Sequence, residues 1–225
     1  MSDESMGHGT TERSTGAIGQ REAAARGMPD DRTSFVFDAT NEAAARQWIA
    51  KYPKGRQASA VLPLLDLAQR QAGGWLPRAA MDHVAAILEM APIRVYEVAT
   101  FYSMFNLKPV GRYHVQICRT TPCWLRGSDK LREVAETKLG VGLKEPTSDG
   151  LFTVSEVECL GACCNAPMVQ INDHFYEDLT PETFAALLDA FARGETPKPG
   201  SQTGRRGSEQ VVERTTLRDI AKRGA

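Results

Sequence analysis

Two pairs of cysteines constrain this chain more than any other feature. Cys118 and Cys123 are spaced C-x4-C, Cys159 and Cys163 are spaced C-x3-C, and 35 residues separate the pairs. A fold that uses all four must bring a late loop back against an earlier one. Four thiolates, two for each iron, are what a [2Fe–2S] cluster takes. Within each pair the spacing lets two sulfurs converge on one metal. On that reading the chain moves single electrons and carries out no bond chemistry of its own.

Four other uses of cysteine compete with this one. A disulfide framework fits poorly, because the count is odd (Cys164 is the fifth) and the N-terminus shows no apolar signal-peptide core, which points to a reducing compartment. Zinc sites favour C-x2-C pairs or mixed Cys/His sets, whereas His8, His83, His114 and His174 show no ligand-like spacing to the cysteines. A thioredoxin-type dithiol needs C-x-x-C, and the sequence has none. Inert cysteines packed as small hydrophobes are the fourth rival. Spacing alone leaves cluster, zinc and packing open.

Charge and hydropathy narrow the function classes. Lys plus Arg number 27 against 28 Asp plus Glu, so the basic excess of a nucleic-acid binder is missing. No apolar run approaches the roughly 18 residues that cross a bilayer, so membrane association must come through a partner.

The pattern along the chain divides into four stretches. Residues 1–33 are rich in Gly, Ser, Thr and charge and read as a disordered tail. Residues 34–108 read as a helical bundle. Asn41–Lys51 is Ala-rich, Ser59 suits a helix cap before Val61, Leu62, Leu65 and Ala68, and Pro77 suits the first position of a helix carrying Val84 and Leu88. Pro92 opens another, with Val95, Val98, Ala99, Tyr102 and Phe105 at helical spacing. The run Phe101, Tyr102, Phe105 reads as core packing. Residues 109–195 switch period. Tyr113, Val115 and Ile117 alternate with polar residues into Cys118; Gly127–Leu139 is helical; Phe152, Val154 and Val157 lead into Cys159; Met168, Val169 and Ile171 make a third strand; Thr180 caps a last helix at Pro181. The order is β-α-β-β-α, and the fold class is α+β. Residues 196–225 read as a flexible tail, with a short helical patch near Val211–Lys222.

In this order both cysteine pairs follow strand ends. If the two strands are neighbours, all four sulfurs gather at one end of the sheet, where α/β folds carry their sites. Gly161 and Ala162 keep the second loop slim, so backbone N–H groups can turn toward sulfur, although Gly161 is equally an ordinary turn glycine. Arg119 and Arg126 read as solvated surface arginines.

Several segments closely resemble the NuoE family, the small iron–sulfur subunit of the NADH-oxidising arm of respiratory complex I. They are Val98–Asn106 (VATFYSMFN), Lys108–Gly111 (KPVG), His114–Asp129 (HVQICRTTPCWLRGSD), Val157–Asn172 (VECLGACCNAPMVQIN) and Tyr176–Thr180. The likeness covers about residues 34–195 and neither tail. It implies a thioredoxin-like ferredoxin domain after the bundle, with Cys118, Cys123, Cys159 and Cys163 as ligands of one [2Fe–2S] cluster. It also implies a NuoF-like partner that carries FMN and oxidises NADH, a NuoG-like iron–sulfur partner, and one-electron exchange between this cluster and the flavin. The cluster resembles a side station rather than a link in the main path to quinone. In keeping with nicotinamide and flavin sites on another chain, the sequence carries no strand-borne G-x-G-x-x-G fingerprint and no P-loop. Cys164 departs from the family pattern and is expected to be a bystander.

The same module resembles the diaphorase part of NAD-linked formate dehydrogenases and hydrogenases, which is one alternative. A freestanding ferredoxin or a structural assembly subunit is another. The expected location is cytoplasmic, peripheral on the inner face of a bacterial inner membrane, with a mitochondrial matrix as the alternative.

Overall fold

A computed structural model describes residues 34–207. Its first half is helical. Helix α1 (Ala39–Ala50) begins at Asp38, whose carboxylate accepts the Asn41 N–H at 2.8 Å, an N-cap that satisfies one of the otherwise orphaned first-turn donors. Helix α2 (Val61–Gln71) does not use Ser59 as its cap. A 3-10 turn over Gln57–Ala60 runs straight into it, and Ala60 starts the helix with no side-chain cap. Helix α3 (Arg78–Ile87) has Pro77 at its N-cap rather than inside, and helix α4 (Pro92–Phe101) does take its proline in the first turn. Leu64, Leu65, Ala68, Ala80, Val84, Val95 and Ala99 are buried together with Phe37 and Phe105.

The aromatic run at the end of α4 differs from expectation. The helix stops at Phe101, and Tyr102 is extended (φ −87°, ψ 115°), so the helical spacing no longer carries side chains inward. Phe105 is buried, but Phe101 is 80% exposed and Tyr102 40% exposed. They are surface, not core.

The second half is a five-stranded sheet in the order β2-β1-β3-β4-β5. The strands are β1 (Tyr113–Cys118), β2 (Phe152–Val157), β3 (Val169–Ile171), β4 (His174–Glu177) and β5 (Gly200–Ser201). β1 runs parallel to β2 and antiparallel to β3; β4 is antiparallel to β3 and parallel to β5. Helix α5 (Thr121–Leu125) and helix α6 (Ser128–Leu139) follow β1, and helix α7 (Pro181–Ala192) follows β4. Thr180 caps α7 in a reciprocal box with Thr183. Beyond the expected β-α-β-β-α order, the structure therefore adds α5, β4 and β5. Residues 196–207, assigned from sequence to a flexible tail, lie against the sheet: Tyr176 donates its hydroxyl to the Pro197 carbonyl, and β5 pairs with β4. The helical patch at Val211–Lys222 and the tail of residues 1–33 lie outside the described residues.

The alternation of β1 sends its residues to two different environments. Val115 and Ile117 join Phe152, Val154, Val169, Ile171 and Tyr176 beneath α6 and α7, against Leu131, Phe184 and Leu188. His114 and Gln116 face the other way, into a cleft of about 740 Å³ shared with Arg70 and Asn106 of the bundle and reaching Cys159. Across it the Arg70 guanidinium holds the Asp173 carboxylate with two hydrogen bonds of 3.0 Å, tying α2 to the β3–β4 turn.

Candidate metal centre

The parallel register of β1 and β2 pairs Cys118 with Val157, so both strands end at the same level. The loops beyond them carry the four cysteines. After Cys118 the chain turns at once into α5, which buries Cys123. After Val157 it passes Cys159, swings through Gly161 at φ 83°, and enters a 3-10 turn over Cys163–Asn165. A Cβ on Gly161 would meet nothing within 4 Å, so glycine is needed there for the left-handed backbone rather than for space.

The four sulfurs form one neighbourhood with an inner and an outer half. Cys118 and Cys123 are 2% and 1% exposed and pack with Ala166 and Met168; Cys159 and Cys163 are exposed. Cys159 Sγ and Cys163 Sγ lie 3.7 Å apart. Cys118 is in hydrogen-bond contact with Cys123, and the charges of Cys118 and Cys163 are felt across the pairs. The sulfurs stand as two pairs: among the described residues no three His, Cys, Asp or Glu side chains converge in the manner of ligands to a single ion.

Donors surround these thiols. The Thr120 hydroxyl sits 3.4 Å from Cys118 Sγ. Burial pushes the Cys118 thiol up, but hydrogen bonds from the Thr120 side chain and from the Leu160 and Thr120 N–H groups outweigh it, leaving Cys118 below the ordinary thiol range. Burial, reinforced by Cys118, pushes Cys123 up to about 12, partly opposed by the Met168 N–H. The Gly161 N–H draws Cys159 down, helped by Cys163 and Thr120, and Cys163 is raised by its contact with Cys159. Four thiols in two pairs, with N–H groups already turned toward them, fit the donor set of an iron–sulfur cluster.

The structure brings together all four cysteines singled out by spacing. It adds Thr120, which the sequence marks only as a hydroxyl two residues past Cys118. Cys164 is exposed beside Cys163. Both arginines near the site are exposed, as expected of surface residues, and each has a partner: Arg119 reaches Glu156 at 3.5 Å and Arg126 donates to the Ala166 carbonyl at 3.4 Å.

Comparison with known proteins agrees with this arrangement. Residues 45–192 match the family described as thioredoxin-like [2Fe–2S] ferredoxin. The chain is 61% identical over 160 residues to a NADH-quinone oxidoreductase subunit of Rickettsia felis, covering 71% of this chain and 96% of that one. It is 49% identical over 188 residues to the mitochondrial NADH dehydrogenase [ubiquinone] flavoprotein 2 of Dictyostelium discoideum, covering 84% of this chain and 76% of that one. An NAD+-reducing [NiFe]-hydrogenase in its air-oxidised state shares the fold, with a TM-score of 0.52 at 22% identity, over 58% of this chain and 23% of that one. The chain belongs to the thioredoxin-like [2Fe–2S] ferredoxin family, among relatives that are subunits of NADH-quinone oxidoreductase.

Proposed function

We propose that Cys118, Cys123, Cys159 and Cys163 hold one [2Fe–2S] cluster, and that the chain serves NADH:quinone oxidoreductase by exchanging single electrons with FMN on a NuoF-like partner. The observation that carries this reading is the meeting of both cysteine pairs at the shared end of β1 and β2, ringed by N–H donors. A cluster of this kind takes up and returns one electron at a time. The protein's own contribution is positional and electrostatic. The Leu160, Gly161, Met168 and Thr120 N–H groups donate to sulfur and ease the negative charge there. Cys118 and Cys123 close the inner side against water, while Cys159 and Cys163 leave the outer side open to a partner.

Exposed apolar side chains supply surfaces for such partners. Trp124 and Leu125 stand out beside Cys123, and Phe101, Tyr102, Met104 and Leu107 follow α4. Large exposed apolar groups of this kind favour being covered in an assembly. The partners are a NuoF-like flavin subunit that binds NADH and a NuoG-like iron–sulfur subunit. Among the described residues no helix is long and apolar enough to cross a membrane. Attachment through the complex, at the cytoplasmic face of a bacterial inner membrane, suits this chain.

Anaerobic purification with iron and acid-labile sulfide assay, and electron paramagnetic resonance before and after dithionite, tests the reading. Two irons and two sulfides per chain, silent when oxidised and giving a spin-half signal when reduced, are expected. Zinc without sulfide, in protein rebuilt with both iron and sulfide supplied, would make the site structural.

A further inference from the structure

The outer cysteine pair has little on its solvent side to fix it, so whatever orients Cys163 must act from behind. Residues 196–207 lie there. They return from α7, pair as β5 with β4, and bring Arg205 up to the cysteine loop. The Arg205 guanidinium donates to Asp178 at 2.6 Å and, through the same nitrogen, to the carbonyl oxygen of Cys164, the residue that follows Cys163. The Ser201 hydroxyl donates to the same carboxylate at 2.6 Å.

Asp178 is the anchor of this arrangement. Its side chain is only 9% exposed, so its charge needs these partners. Its backbone sits at φ 54° and its N–H donates to the Asn165 carbonyl at 2.8 Å. Asn165 closes the 3-10 turn that Cys163 opens. Its side-chain amide donates to Glu177, and Gly207 passes so close that an added Cβ would come within 3.2 Å of that amide. The turn is therefore held at Asn165 by Glu177 and Asp178 and at Cys164 by Arg205 of the C-terminal strap, with Gly207 packed beside Asn165.

We infer that Arg205, together with Asp178, is a positioning pair for the metal site: the guanidinium joins the Asp178 carboxylate to the Cys164 carbonyl and so sets how Cys163 presents its sulfur. This rests on the proposed role of Cys163 as a ligand. Arginine suits the task because Nε and Nη2 face the Asp178 carboxylate side by side, at 3.4 and 2.6 Å, and this two-point grip aims the second hydrogen of Nη2 at the Cys164 carbonyl, an orientation that an ammonium on a flexible stem does not fix. Partners one shell out from a metal orient the ligands and hold the bound group, and their loss typically costs 10–100-fold in metal affinity.

The test uses the full chain, loaded anaerobically with iron and sulfide. Reduced-state paramagnetic resonance and the rate of cluster loss to a ferrous chelator are compared for wild type, Arg205→Ala, Arg205→Lys, Cys163→Ser and Arg193→Ala. The last removes a surface ion pair with Glu195 at the end of α7, just before the strap, and should behave as wild type. Arg205→Ala should lose its cluster about tenfold faster and show displaced g values. Arg205→Lys should show the same displacement, because an ammonium lacks the side-by-side grip on Asp178 that aims the donor at the carbonyl. Unchanged g values and loss rate in Arg205→Ala, whatever its melting temperature without metal, would overturn the positioning role. A wild-type spectrum in Arg205→Lys would overturn the fixed two-point grip on Asp178 as its basis. If Cys163→Ser itself gives the wild-type spectrum, the ligand assignment fails instead.

Discussion

His114 on β1 and Ser155 on β2 meet across the sheet, with Nε2 and Oγ 2.8 Å apart, on the face that α6 and α7 leave uncovered. Burial pushes the imidazole down to about 4, so it is neutral in the folded protein. In the unfolded chain histidine titrates near 6.5, so as pH falls the unfolded state takes up the proton first. The stabilisation is complete above about pH 6.5 and is lost as pH drops toward 4, by at most on the order of 3 kcal/mol. His114→Gln keeps a polar group toward Ser155 and should flatten this part of the profile. Thermal melts of both proteins between about pH 7 and 4 decide it; identical slopes would assign the acid sensitivity elsewhere.

Gly111 carries no tolerance for a side chain. A Cβ there would lie 2.5 Å from the backbone carbon of Phe152, and the Gly111 N–H already donates to Thr153 Oγ1 at 2.7 Å. Since the obstacle is backbone of β2, it cannot swing aside. Gly111→Ala should cost about 1–3 kcal/mol in urea unfolding of the sheet half, as overpacking usually does. A change within about 0.5 kcal/mol would mean that the strand entry is looser than its geometry.

The Arg70–Asp173 contact looks strong, being bidentate, yet both side chains are more than half exposed (57% and 63%). Solvent and salt screen such pairs. A double-mutant cycle with Arg70→Ala and Asp173→Ala should return about 0.5–1 kcal/mol at low salt and close to nothing near 1 M salt. A coupling of several kcal/mol that resists salt would show that the cleft shields the pair.

Adjacent cysteines should behave oppositely. Cys164 is exposed and its carbonyl is engaged by Arg205, whereas Cys163 faces Cys159. Cys164→Ala should keep iron and sulfide at the wild-type ratio, and Cys163→Ser should weaken or lose them. Loss of both elements in Cys164→Ala alone would exchange the roles of the two residues.

Much of this molecule was legible because its local periods agree with its tertiary contacts. The alternation of Tyr113, Val115 and Ile117 marks a strand whose odd positions do face the core, Val115 and Ile117 buried and Tyr113 partly so, and Thr180-Pro181 marks a helix start that the structure caps as expected. The cysteine pairs could be located because each follows such a strand. Other features have no local signature. β4 is four residues long, and β5 is two residues set directly after Pro199, so neither carries a readable alternation. Tyr102 kept the helical spacing but lost the helix, which put Phe101 and Tyr102 on the surface. Arg205 meets Cys164 across 41 residues of chain, and nothing around it announces that contact.

The two apolar cores are consecutive in the chain, one built from residues 37–105 and the other from 115–191. A protein made from its N-terminus can therefore bury the helical half while the other is still being synthesised. β1 emerges early but waits for both of its neighbours, β2 and β3, and Arg205 arrives later still. A nascent chain halted before Cys159 would hold a folded bundle and two thiols with nothing to complete them. On the proposed ligand set, metal insertion therefore waits until the second half of the fold has closed over the first pair of thiols.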